Sequence, residues 1–87
     1  MKSTALRDYL ESHAGYLSYS DELLNTCDGL PDEAQVKMLQ MIMEFGISTP
    51  DDVSFMIKHV DKIDMMLNFM RDGKGWFYIR NKIYRGQ

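Results

Sequence analysis

Apolar residues recur along this chain mainly at three- and four-residue spacings, the period of helices lying on a core. The clearest run lies between Gly46 and Gly73. Thr49-Pro50-Asp51-Asp52 has the form of a helix start: a hydroxyl cap, proline in the first turn, then two carboxylates against the positive helix end. Val53, Met56, Ile57 and Val60 follow, then Ile63, Met66, Leu67 and Met70, and Asp72-Gly73 offers a left-handed stop. The two halves of this stripe point ~100° apart, far more than the ~20° per heptad drift of a straight helix. A break near His59-Val60-Asp61, with Asp61 capping a second helix, would explain the shift. No glycine or proline sits there, so one continuous helix over 50–72, straight or kinked, is the preferred expectation.

The same reasoning predicts three earlier helices. The first runs from about Thr4 to Leu17, with Ser3 or Thr4 as cap and Ala5, Leu6, Tyr9, Leu10, His13, Tyr16 and Leu17 within one arc of ~140°. Ser18-Tyr19-Ser20-Asp21-Glu22 opens a short second helix with Leu23, Leu24 and Cys27 on its apolar face, closed by Asp28-Gly29. Pro31-Asp32-Glu33 opens a third, which runs to Phe45 and stops at Gly46. This third helix is unusual. Ala34, Val36, Met38, Leu39, Met41, Ile42, Met43 and Phe45 span ~220°, where a surface helix needs little more than ~100°. Lys37, Gln40 and Glu44 form its polar strip. Either other helices wrap it or its surplus face meets a partner.

Beyond Gly73 the pattern changes. Trp76-Phe77-Tyr78-Ile79 favours a strand, which would put Trp76, Tyr78, Arg80, Lys82 and Tyr84 on one face and Phe77, Ile79 and Ile83 on the other. A helix would instead align Trp76, Ile79 and Ile83. An extended or hairpin segment is preferred, and it must dock, because a lone hairpin is marginal in water. The expected architecture is all-α: a bundle of four to five helices over 1–73, with an aromatic-basic segment over 74–87 docked on it.

Composition sharpens this picture at four points. At 87 residues the chain is one small domain, for which oligomerisation is a natural supplement to a thin core. The single cysteine, Cys27, excludes an internal disulfide and reads as a buried hydrophobe. No apolar signal core or membrane-length run is present, so a reducing, cytoplasmic location and no membrane contact are expected. The net charge of −3 is split: residues 74–87 carry Lys74, Arg80, Lys82 and Arg85 with no acid, leaving −7 on the rest.

Catalytic templates are absent. There is no Gly-x-Ser-x-Gly elbow, His-Glu-x-x-His, phosphate loop or Cys-x-x-Cys pair. On a helix His59 and Asp61 would point ~200° apart, which rules out shared metal ligation. No catalytic residue, metal or cofactor is expected. A helix-turn-helix reading of Met41 to Ile57 fails on charge, since its second helix opens with Pro50-Asp51-Asp52 where phosphates would lie.

The leading expectation is therefore a non-catalytic protein-interaction module. It would be a small regulator or inhibitor, of a size that suits a phage or other mobile element. Seven of the eight methionines lie between Met38 and Met70, and methionine-rich surfaces adapt to varied partners. The partner-binding surface is read as Met38, Met41, Ile42, Phe45, Met65, Met66 and Phe69. The partner is another protein or a second copy in a homodimer. The alternative is a nucleic-acid-binding accessory protein using Lys74, Trp76, Tyr78, Arg80, Lys82, Tyr84 and Arg85, which could equally meet an acidic protein.

Overall fold

Local signals set most helix ends in the computed structural model, which describes residues 3–13 and 19–86. Among these residues the chain forms α1 (Ala5–His13), α2 (Asp21–Asp28), α3 (Asp32–Phe45), α4 (Pro50–Lys58), α5 (Ile63–Arg71) and α6 (Trp76–Tyr84), and no strand. The fold is all-α, with six helices where four to five were expected. Ser20 Oγ accepts from the Leu23 N–H at 3.1 Å to start α2, and Thr49 Oγ1 accepts from the Asp52 N–H at 3.1 Å to start α4. Gly46 and Gly73 take φ of 69° and 87°, and close α3 and α5 at the left-handed positions assigned to them. Tyr16 and Leu17, placed at the end of the first helix, lie outside the described residues.

Two expectations need correction. The run over 50–72 is two helices, not one. α4 ends at Lys58, His59 leaves helical geometry (φ −118°, ψ 35°), and a 3₁₀ turn, Val60–Lys62, leads into α5. A 3₁₀ turn advances ~120° per residue against ~100° in an α-helix, so it rotates the apolar stripe without glycine or proline. Val53, Phe55 and Met56 of α4 and Ile63, Met66 and Leu67 of α5 are all buried as a result. Asp61 does not cap α5; the cap position is Lys62 and carries no side-chain bond.

The tail is also a helix rather than an extended segment. Ile79 and Ile83, one helical turn apart, are sealed in the core, and the burial of that pair outweighs the strand preference of the aromatic residues around them.

The core joins residues from every helix, among them Leu6, Leu10, Leu24, Cys27, Met38, Met41, Phe55, Met66 and Ile79. Gln35 is the one buried polar residue among those described. Its Oε1 accepts from the Leu6 N–H at 3.2 Å, an N–H that α1 itself cannot pair. Its Nε2 donates to the Ser3 and Leu30 carbonyls at 3.0 and 3.1 Å. One amide thus ties the start of α1 and the loop before α3 to the core.

α3 and α5 lie side by side in the same direction. Lys37 pairs with Asp64 at 2.7 Å near their starts, and Arg71 pairs with Glu44 at 2.9 Å near their ends. The polar strip of α3 is therefore the edge along which α5 is aligned. No helix among the described residues is long and apolar enough to cross a membrane.

Candidate functional site

The methionine face assigned to a partner is mostly interior. Met38, Met41 and Met66 are fully enclosed and Ile42 nearly so, while Phe45, Met65 and Phe69 are half-buried against the same core. In this fold the four enclosed side chains cannot meet a partner, which corrects that part of the assignment. The periodicity showed that α3 had apolar surface to spare but not which side was spare. Met38, Met41 and Ile42 span ~100° centred on the core, and Val36 and Met43 point ~180° away. The excess face is therefore Val36 and Met43, exposed at 52% and 64%, with Leu39 half-buried beside them.

The basic-aromatic set of the tail is divided by helix geometry into three directions. Trp76, Arg80 and Tyr84 turn toward α4. Asp52 Oδ1 accepts from Trp76 Nε1 at 3.0 Å and from Arg80 Nη1 at 3.0 Å, and Asp51 accepts from Arg80 at 3.2 Å. The Arg80 guanidinium also lies 4.7 Å from the Phe55 ring centre and 5.9 Å from that of Tyr84. Phe55 meets Trp76 edge-on at 5.7 Å, and His59 lies 4.7 Å from Phe55. Trp76 and Arg80 are thereby engaged inside the molecule. The acids that open α4 hold the basic helix α6, so part of the charge split is satisfied within one chain.

The second direction is toward α5. Tyr78 meets Phe69 edge-on at 6.3 Å, and the ammonium groups of Lys74 and Lys82 each lie 5.5 Å from the Tyr78 ring centre. The third direction is solvent. It is taken by Phe77, 84% exposed, and by exposed Arg85, while Tyr84 and Tyr78 stay 67% and 44% exposed beside their contacts. The strand reading put Phe77 on one face with Ile79 and Ile83. In a helix it stands ~100° from Trp76 and ~160° from Ile79, so a helical wheel of the tail would have marked it as outward. The surface of α6 thus presents an exposed apolar side chain, Phe77, and next to it in sequence a Tyr78 ring met by Lys74 and Lys82, and no acid lies within the helix.

A second surface feature lies beside α4. A groove of about 420 Å³ runs between α2 and α4, lined by Ser20, Glu22, Leu23, Thr26, Pro50, Asp51, Ser54 and Ile57. Its three apolar residues, Leu23, Pro50 and Ile57, are half-buried, and its charged residues are both acidic.

Cys27 is fully enclosed, and burial pushes its thiol up to about 11, the reverse of what a nucleophilic thiolate needs. Hydrogen bonding from Arg71 holds the Glu44 carboxyl below its ordinary value. Ser12 Oγ lies 2.8 Å from His13 Nδ1 but donates its own proton to the Asp8 carbonyl at 2.7 Å, which leaves it an acceptor toward the imidazole. Among the described residues no group of three or more His, Cys, Asp or Glu side chains is placed to hold a metal ion.

Sequence reasoning missed Gln35, Phe77 and the Val36–Met43 side of α3. Comparison of the chain with protein-family models, with curated proteins and with solved structures gave no match to any of them.

Proposed function

We propose that this protein is a non-catalytic interaction module that presents the outer face of α6 to an acidic protein surface. The observation that carries this reading is Phe77, a large apolar side chain left 84% in water on a helix that carries Arg80 and Lys82 and no acid. Such a side chain contributes nothing to the core. It is the kind of aromatic anchor around which interfaces concentrate their binding energy, and the basic character of its helix favours a partner of opposite charge. The partner-binding surface is accordingly moved from the enclosed methionines to Phe77, Tyr78, Lys74, Lys82 and Arg85.

The test is photo-crosslinking in lysate of the source organism, with a benzoyl-phenylalanine at position 77 and a matched probe at exposed Glu11 as control. Expected is an acidic protein trapped from position 77 alone and released when Lys82 and Arg85 are reversed to Glu. Identical products from both positions would overturn the reading.

Nucleic-acid binding is the second reading, favoured by the exposed Tyr78 ring set between Lys74 and Lys82. Three cations on single-stranded RNA would give a log–log salt slope of about −2. Titration at two salt concentrations decides, and an absent or salt-insensitive signal removes this reading.

A further inference from the structure

We infer that the acidic surface met by α6 is a second copy of this chain: in a two-fold dimer, Phe77 of each protomer seats in the α2/α4 groove of the other. The inference rests on the reading of α6 as the contact face and names its partner.

Three observations converge on it. The first is chemical fit. The groove is lined by half-buried Leu23, Pro50 and Ile57 and by the exposed acids Glu22 and Asp51, while Phe77 stands exposed on a helix that carries Arg80 and Lys82 and no acid. Apolar meets apolar and the charges on the two sides are opposite. The second is capacity. The groove offers about 420 Å³ of open space, and a cavity of about 150 Å³ is enough to hold a benzene ring.

The third observation is placement. Asp51 belongs to both features, since it lines the groove and pairs with Arg80, and Arg80 lies one helical turn from Phe77. Groove and anchor therefore flank the same ion pair on one continuous surface. That is the arrangement a two-fold axis requires, because the axis places each anchor over the partner's groove and makes both contacts at once. Phe77 does not reach the groove of its own chain, as its exposure shows.

Sedimentation velocity over a range of protein concentrations, at low and high salt, tests the inference. Expected is a monomer–dimer equilibrium that weakens with salt. Phe77→Asp and Ile57→Glu should each raise the dimer Kd by roughly 30-fold or more, as for removal of a buried aromatic anchor. Circular dichroism should show both variants folded. In an equimolar mixture, Phe77→Cys and Ser54→Cys chains should form a disulfide-linked heterodimer, while Cys27 stays unreactive in the core. A monomer at every concentration, or a dimer indifferent to Phe77→Asp, overturns the inference. If the chain is monomeric yet position 77 still traps an acidic host protein, self-association falls and the proposed function stands. If it is monomeric and nothing is trapped, both fall.

Discussion

The clamp between α4 and α6 gives a prediction that separates two adjacent acids. Asp52 has an 18% exposed side chain and accepts from both Trp76 and Arg80, whereas Asp51 is 81% exposed and accepts from Arg80 alone. A hydrogen bond to a charged group contributes about 1.5–3 kcal/mol. Asp52 makes two, and the low end applies because the pair is not fully enclosed. Part of the Arg80 contribution survives through Asp51. Asp52→Ala should then cost about 2–3 kcal/mol, out of roughly 4–13 kcal/mol for a chain of this length. At about 4–8 °C per kcal/mol, the melting temperature should fall by roughly 10–20 °C. Asp51→Ala should cost no more than about 0.5 kcal/mol, as exposed pairs do. Trp76 is the sole tryptophan, so its fluorescence reports this contact directly. In urea titrations of Asp52→Ala, the fluorescence midpoint should precede the far-ultraviolet circular dichroism midpoint, because α6 detaches first. Equal losses for the two alanine variants, or a loss below about 0.5 kcal/mol for Asp52→Ala, would refute the argument that burial decides between these acids.

Four further outcomes follow from the packing and pairing described above. Gln35→Leu keeps volume but strands the Leu6 N–H and two carbonyls, so urea denaturation should show a loss of about 2–4 kcal/mol; a neutral result would mean that water replaces the amide. The Cys27 thiol is raised from 9.0 to about 11 in the fold, so its stabilising effect is intact below pH 9 and is lost as pH rises toward 11. The loss should reach about 3 kcal/mol and be missing from Cys27→Ala, as measured by melting temperature against pH. Glu44, lowered by Arg71, stabilises above its ordinary carboxyl value and loses this as pH falls through its folded value; Arg71→Gln should flatten that acid limb in the same scan. Phe77→Ala should shift the melting temperature by under ~2 °C at a protein concentration below the dimer Kd, since in the monomer an exposed side chain supports nothing beneath it; a larger drop there would place Phe77 in the fold's own packing.

The parts of this structure legible in the sequence are those whose cause is local. Ser20, Thr49 and Pro50 start helices, and Gly46 and Gly73 stop them, through bonds and dihedrals spanning a few residues. What stayed hidden depends on partners distant along the chain. The stripe shift between Val60 and Ile63 was visible, but its resolution by a 3₁₀ turn is fixed by the packing of α4 and α5 on different neighbours. The tail reads as a strand by propensity and is a helix because Ile79 and Ile83 find a place in the core. Gln35 looks like one more polar residue until the start of α1, some thirty residues earlier, is laid against it. At the candidate site, the charge and aromaticity of the tail were evident. The division of that set was not, because Trp76 and Arg80 are withdrawn from the surface by Asp52, 24 and 28 positions away.

The common direction of α3 and α5 also constrains how the chain reaches its native state. Lys37 and Asp64, like Glu44 and Arg71, are separated by 27 residues, and the intervening α4 must cross back before either pair can meet. Closing a loop of that length costs about 3 kcal/mol of chain entropy before any packing compensates. The pairing of these two helices is thus one of several long-loop closures in the fold, alongside the Leu6–Gln35 and Asp52–Arg80 contacts, 29 and 28 residues apart. Side-chain truncations along it, such as Met41→Ala and Leu67→Ala, should slow refolding, whereas changes in α6 should appear mainly as faster unfolding.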